Sequence, residues 1–177
     1  MLRCLVGISV ALALAACSGG ATGAAPAAAT SAPTITAAPA KAAAPTITRS
    51  AWFKYAPWNS SLPEVKKTSS GLEYIVLASG PATGVAPLPE QSAKIYYEGR
   101  LNSGGRAFDS AFDRGAPDVY ELSILVPGFR EALSMMRPGD RWMIYIPAAI
   151  GYAERGYPGL IGPGENLLFE ILMVGAV

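Results

Sequence analysis

Apolar and polar positions in the second half of the chain form short runs that glycine and proline interrupt. Leu72-Glu73-Tyr74-Ile75-Val76-Leu77 alternates enough to predict a strand, and Ala93 to Leu101 predicts another. Val119 to Leu122 is a short third. Arg141 to Ile146 and Leu167 to Val174 are longer, and rich in the aromatic and branched residues that suit a pleated surface. One segment has helical spacing instead. Phe129, Leu133 and Met136 fall at i, i+4 and i+7, Pro127 suits the first turn, and Pro138-Gly139 ends the run. A helix of about ten residues is marginal alone and needs a partner face. The simplest packing is an α+β domain in which a curved antiparallel sheet, a half-barrel, closes over that single helix.

The start of the chain has another pattern. Met1, Leu2 and basic Arg3 precede an apolar run from Leu5 to Ala16, the layout of a secretory leader. The run is too short for a membrane-spanning helix, which needs about 20 apolar residues. It ends in Leu14-Ala15-Ala16-Cys17, which resembles a bacterial lipobox, so residues 1–16 are expected to be removed and Cys17 to carry lipid. Ser18 after the cysteine resembles the signal for export to the outer membrane. The expected location is the cell envelope, with the domain lipid-anchored and facing the periplasm.

Residues 17–50 are almost all Ala, Pro, Thr, Gly and Ser, with Lys41 and Arg49 the only charges. Such a stretch has little to bury, and it reads as a disordered tether that holds the domain roughly 30 Å from its anchor. Trp52, Phe53, Tyr55 and Trp58 follow, in an aromatic-containing extension over residues 51–68. They suit docking on the domain, an interface or lipid headgroups; the cost of exposing aromatics to water favours docking. Residues 69–177 remain for one compact domain.

Composition narrows the chemistry. The chain has no histidine and two cysteines, Cys4 in the leader and Cys17 at the anchor. This excludes His-dependent nucleophilic systems, disulfides within the domain and thiolate or imidazole metal sites, so no metal or cofactor is expected. Fourteen basic and thirteen acidic residues leave a formal charge of +1, with no basic stripe for nucleic acid.

The sharpest signal is an ordered set of short segments. Tyr96-Tyr97-Glu98-Gly99-Arg100-Leu101, Ala107-Phe108-Asp109-Ser110 and Val126-Pro127-Gly128-Phe129 come first. Met136-Arg137-Pro138-Gly139-Asp140, Ile146-Pro147, Gly151-Tyr152 and Leu167-Leu168-Phe169-Glu170 follow. In this order and spacing they resemble the FKBP-type peptidyl-prolyl cis-trans isomerases. Taken singly, Phe108, Phe129 and Phe169 read as core and Asp109–Arg114 as a surface ion pair. The resemblance implies instead that the sheet and helix enclose an aromatic pocket that turns Xaa-Pro bonds.

Under that resemblance Tyr97, Phe108, Leu125, Val126, Phe129 and Phe169 form the cup, with Phe129 as its floor. Tyr152 donates to the bound peptide carbonyl. Asp109 stands beside the turning amide, supported by Tyr97 and Arg114. Tyr157, Leu160 and Ile161 are contact points on a flexible rim. The chain departs from the family in two respects: Phe129 stands where Trp is usual, and Asp118 and Val119 stand where a second aromatic wall is usual, which implies a wider or more polar mouth. Expected partners are proline-containing polypeptides, including exported proteins, and macrolides of the tacrolimus or rapamycin type. A binding module or chaperone with little turnover is the alternative activity. Residues 18–50 lack the helical arm that pairs dimeric relatives, so a monomer is expected.

Overall fold

The computed structural model describes residues 45–46, 48–105 and 107–177. The leader, Cys17 and the tether up to residue 44 lie outside the described residues. Seven strands form one antiparallel sheet: β1 (Lys66–Lys67), β2 (Glu73–Ala78), β3 (Ser92–Leu101), β4 (Asp109–Ser110), β5 (Asp118–Glu121), β6 (Arg141–Ile146) and β7 (Leu167–Ala176). Their order is β1-β2-β6-β7-β3, with β4 and β5 both on the far edge of β3. The strands and the helix expected from the pattern are present close to their expected bounds. The α-helices among the described residues are α1 (Arg49–Tyr55), α2 (Ala111–Arg114) and α3 (Pro127–Met135), two more than the single helix expected.

One face of the sheet curves over α3. Period-2 alternation sends Ile95 and Tyr97 of β3, Trp142, Ile144 and Ile146 of β6, and Leu167, Phe169, Ile171 and Met173 of β7 to that face. They meet Phe129, Ala132 and Leu133 on the apolar side of α3, and Met136 just beyond its end. Pro127 takes the first helical turn, where its missing N–H costs nothing. The helix stops at the Arg137–Asp140 turn, where Gly139 has φ +89°. The buried Asp140 carboxylate locks this turn by accepting from Gly80 N (2.7 Å) and Arg137 N (2.9 Å).

The other face carries a second apolar cluster, which the N-terminal extension covers. Ala51, Trp52 and Tyr55 of α1 pack with Ile75, Met143 and Leu168, while Trp58 and Tyr145 stack with centroids 5.8 Å apart. The Trp58 indole donates to the buried Glu73 at 2.7 Å. Helix α1 begins inside the stretch expected as tether, because the sheet offers it both apolar surface and charge.

That charge comes from Glu98 and Glu170, which face each other across β3 and β7 and are 1% and 0% exposed. A carboxylate so buried is stable only when paired. Arg100 pairs with Glu98 at 2.7 Å, and Arg141 Nε donates to Glu170 at 2.6 Å. Glu170 also accepts from Thr48 N at 2.8 Å, and Arg141 donates to the Thr46 carbonyl. The Arg100 guanidinium lies 4.5 Å from the Trp52 ring centroid, closing the cover from the other side.

Candidate active site

Strand β3 reaches the mouth of the half-barrel with Gly99 between the rings of Phe108 and Phe169. A Cβ at residue 99 would lie 2.5 Å from Phe169 and 2.6 Å from Phe108, so only glycine lets both rings rest on the strand. Phe169 in turn packs edge-on against Phe129 (4.8 Å between centroids) and Phe108 (5.7 Å). These rings are the floor of a cleft of about 300 Å³. Tyr97, Phe108, Asp109, Leu125, Val126, Phe129, Tyr152, Tyr157 and Phe169, nine of the residues singled out in the sequence, line it together.

The cleft has one polar wall, and α2 builds it. The Ser110 hydroxyl caps this helix by accepting from Asp113 N at 3.1 Å, and Gly115, with φ +70°, ends it. The short turn aims Arg114 back at β4, where its guanidinium meets Asp109 at 2.5 Å and also pairs with Asp118. The other Asp109 oxygen accepts from the Tyr97 hydroxyl. Tyr97 therefore has no proton left for Tyr120, whose hydroxyl lies 2.7 Å away and must be the donor between them.

Burial pushes the Asp109 carboxyl upward, but the hydrogen bonds from Tyr97 and Arg114 and the Arg114 charge outweigh it and hold the group below its usual range. Burial, reinforced by the bond to Asp109, pushes the Tyr97 hydroxyl far up. Tyr120 and Tyr152 are also raised, burial being the first cause of each. The fixed Asp109 carboxylate and the neutral phenols of Tyr97, Tyr120 and Tyr152 can position a polar group but do not trade a proton near neutrality. Among the described residues, no three His, Cys, Asp or Glu side chains cluster as metal ligands.

Not every residue expected at the rim reaches the cleft. Tyr157, half exposed, meets Tyr152 edge-on at 5.7 Å. Ile161 is buried in the main core, and its N–H and carbonyl close a tight turn with Tyr157 at 2.9 and 2.8 Å. Leu160, at the turn's tip, is half exposed. Neither Leu160 nor Ile161 lines the cleft; Ile161 supports the rim from beneath. Three lining residues escaped the sequence reading: Tyr120, Ile124 and Arg155. Strand parity could have found Tyr120, since in β5 it alternates with exposed Val119. Its ring supplies aromatic wall beside Asp118 and Val119, which offer none.

The FKBP-type peptidyl-prolyl cis-trans isomerase family model matches residues 84–174. Peptidyl-prolyl cis-trans isomerase Mip of Coxiella burnetii is 40% identical over 116 residues, 66% of this chain and 49% of that protein. Outer membrane protein MIP of Legionella longbeachae is 35% identical over 116 residues, 66% of this chain and 48% of that protein. The crystal structure of a peptidyl-prolyl cis-trans isomerase from Pseudomonas syringae matches with a TM-score of 0.60 at 30% identity, covering 66% of this chain and 84% of that one. The chain spans about half the length of the curated relatives it matches.

Proposed function

The chain belongs to the FKBP-type peptidyl-prolyl cis-trans isomerase family, and from that premise we propose that its cleft catalyses rotation about Xaa-Pro bonds of exported proteins. The observation that carries this reading is an aromatic cup whose only carboxylate, Asp109, is pinned between Tyr97 and Arg114. Unaided rotation faces a barrier near ~20 kcal/mol and takes tens to hundreds of seconds. Twisting breaks amide resonance and leaves the carbonyl less dipolar than in the planar ground state. An apolar cup therefore disfavours the planar form more than the twisted one. Removing only ~4 kcal/mol accelerates the step a thousandfold.

In this mechanism the proline ring rests on Phe129 and Phe169, and Tyr97 and Phe108 exclude water around it. The Tyr152 hydroxyl donates to a peptide carbonyl and fixes the segment across the cup. Asp109 stays ionised beside the turning amide, and its partners keep it from collapsing onto the substrate. No step transfers a proton. Macrolides of the tacrolimus or rapamycin type, which also present an apolar ring, would compete for the same cup.

The expected Cys17 anchor extends the reading to place. We infer that the domain works at the envelope, on polypeptides folding beside the outer membrane. The lipobox supports this, and so does the Legionella longbeachae relative, which is named an outer membrane protein.

A binding module with little turnover is the second reading, favoured by Phe129 where the family usually has the larger Trp. The test is an NMR exchange or protease-coupled assay on Xaa-Pro peptides, run beside a titration of affinity. Turnover that rises with enzyme concentration supports the isomerase; saturable binding with no added turnover supports the module.

A further inference from the structure

The cleft has two charged borders of different sign. On the first, Arg114 is shared by Asp109 and Asp118, so three full charges sum to a single negative one. On the second stands Arg155, carried by the single turn Ala153–Arg155 that follows Tyr152. Arg155 is exposed, and it takes part in none of the ion pairs among the described residues. Its neighbour Glu154 points elsewhere: a Cβ on residue 164 would lie 3.4 Å from the Glu154 carboxylate. Tyr152 lines the same cleft as Asp109 and Arg155; beyond burial, Asp109 opposes ionisation of its hydroxyl and Arg155 favours it, so both charges act where a peptide carbonyl would dock. Much of the remaining rim is apolar, with Ile124 and Tyr157 projecting into solvent.

Resting on the isomerase reading, we propose that Arg155 selects prolyl segments that carry an acidic residue on one side of the proline. A segment lying across the cup has one flank near an unpartnered guanidinium and the other nearer a net negative border. A glutamate on the first flank gains attraction; the same glutamate on the other flank is repelled. A lysine has the opposite preference at each place. Electrostatic complementarity of this kind sets register and partner choice more than raw affinity. Because Arg155 is solvent-exposed, the pair should change affinity by about two- to fivefold and fade as salt rises.

The test uses peptides that differ at one residue, Glu, Gln or Lys, placed two positions before the proline in one set and two after it in another. Both kcat/KM and Kd are measured for the full protein and for Arg155→Gln and Arg155→Glu, at low and high salt. In one set the wild type should favour Glu over Gln over Lys, by about threefold per step at low salt. Arg155→Gln should flatten the order, Arg155→Glu should invert it, and high salt should shrink it. The ranking is the readout, so a general loss of activity does not imitate the result. A wild type that treats the three peptides alike in both sets, or a ranking that survives Arg155→Glu, overturns the proposal. If no peptide is turned over, the isomerase reading fails by itself, and the Kd ranking still decides the role of Arg155.

Discussion

The hydroxyls of Tyr97 and Tyr120 lie 2.7 Å apart, and Tyr97 donates its own hydrogen bond to Asp109. The polar wall is therefore a relay. Tyr120 supports Tyr97, Tyr97 and Arg114 hold Asp109, and Arg114 is braced by Asp118. Tyr120→Phe removes one link while leaving the ring in the cleft. It should cost about 1 kcal/mol, read as a several-fold lower kcat/KM with little change in thermal midpoint. An unchanged kcat/KM would show that Asp109 and Arg114 alone suffice to hold Tyr97.

The residues proposed to act directly should respond in a graded order. Tyr152→Phe loses one hydrogen-bond donor and should slow turnover several-fold, near ~1 kcal/mol. Asp109→Val should cost more, since it also strips Tyr97 and Arg114 of their acceptor. Phe129→Trp should raise kcat/KM, because the added ring can extend into the cleft, although its packing at 4.8 Å from Phe169 leaves little slack on the buried side. Steady-state kinetics on one Xaa-Pro peptide checks all three. Equal rates for the wild type and every variant would move the chemistry out of this cleft.

The pH dependence follows from the directions of the shifts. Asp109 is held below its ordinary 3.8, so its contribution to stability is complete above that value and is lost as pH falls through the lower folded one. Tyr97, Tyr120 and Tyr152 are raised above 10.0, so the neutral phenols stabilise the fold below that pH and the benefit disappears above it. None of these groups titrates between about pH 6 and 8, and the chain has no histidine. Activity should be flat there, with losses only toward acid below about pH 4 and toward strong alkali. A bell-shaped profile centred near neutrality would require a titrating group that this mechanism lacks.

The N-terminal extension should matter for stability rather than chemistry. Trp52 is 4% exposed, and Met143 and Leu168 beneath α1 are at most 1% exposed. Trp52→Ala should cost roughly 3–5 kcal/mol, and a chain that starts at Thr68 should melt well below one that starts at Pro45. Turnover per folded molecule should be equal in the two. Identical melting curves would show that α1 adds nothing to the fold.

The anchor is tested at the other end of the chain. Cys17→Ala should block lipidation and leave the leader uncleaved by the lipoprotein signal peptidase, which a mass shift reports. Normal processing and unchanged membrane partition in that variant would remove the lipobox reading.

The sequence alone determined five of the seven described strands, helix α3 and most of the residues that line the cleft. Those signals are local: alternation along β3, β6 and β7, a 3.6-residue period in α3, and residues such as Tyr97, Asp109 and Phe129 at family spacing. Tertiary structure decided what depends on which strands become neighbours. Glu98 and Glu170 look like ordinary surface acids until β3 and β7 pair in register and α1 closes over them. Trp52 acquires a binding surface only because β2, β6 and β7 bring Ile75, Met143 and Leu168 together. Tyr120 enters the relay because β5 joins the same edge of β3 as β4, a pairing that no periodicity in residues 118–121 announces. Ile161 left the expected rim for the core because its turn closes back on Tyr157. Periodicity tells which face of an element is apolar; the buried charges, the docked helix and the shared hydroxyls follow from contacts between segments distant in the chain.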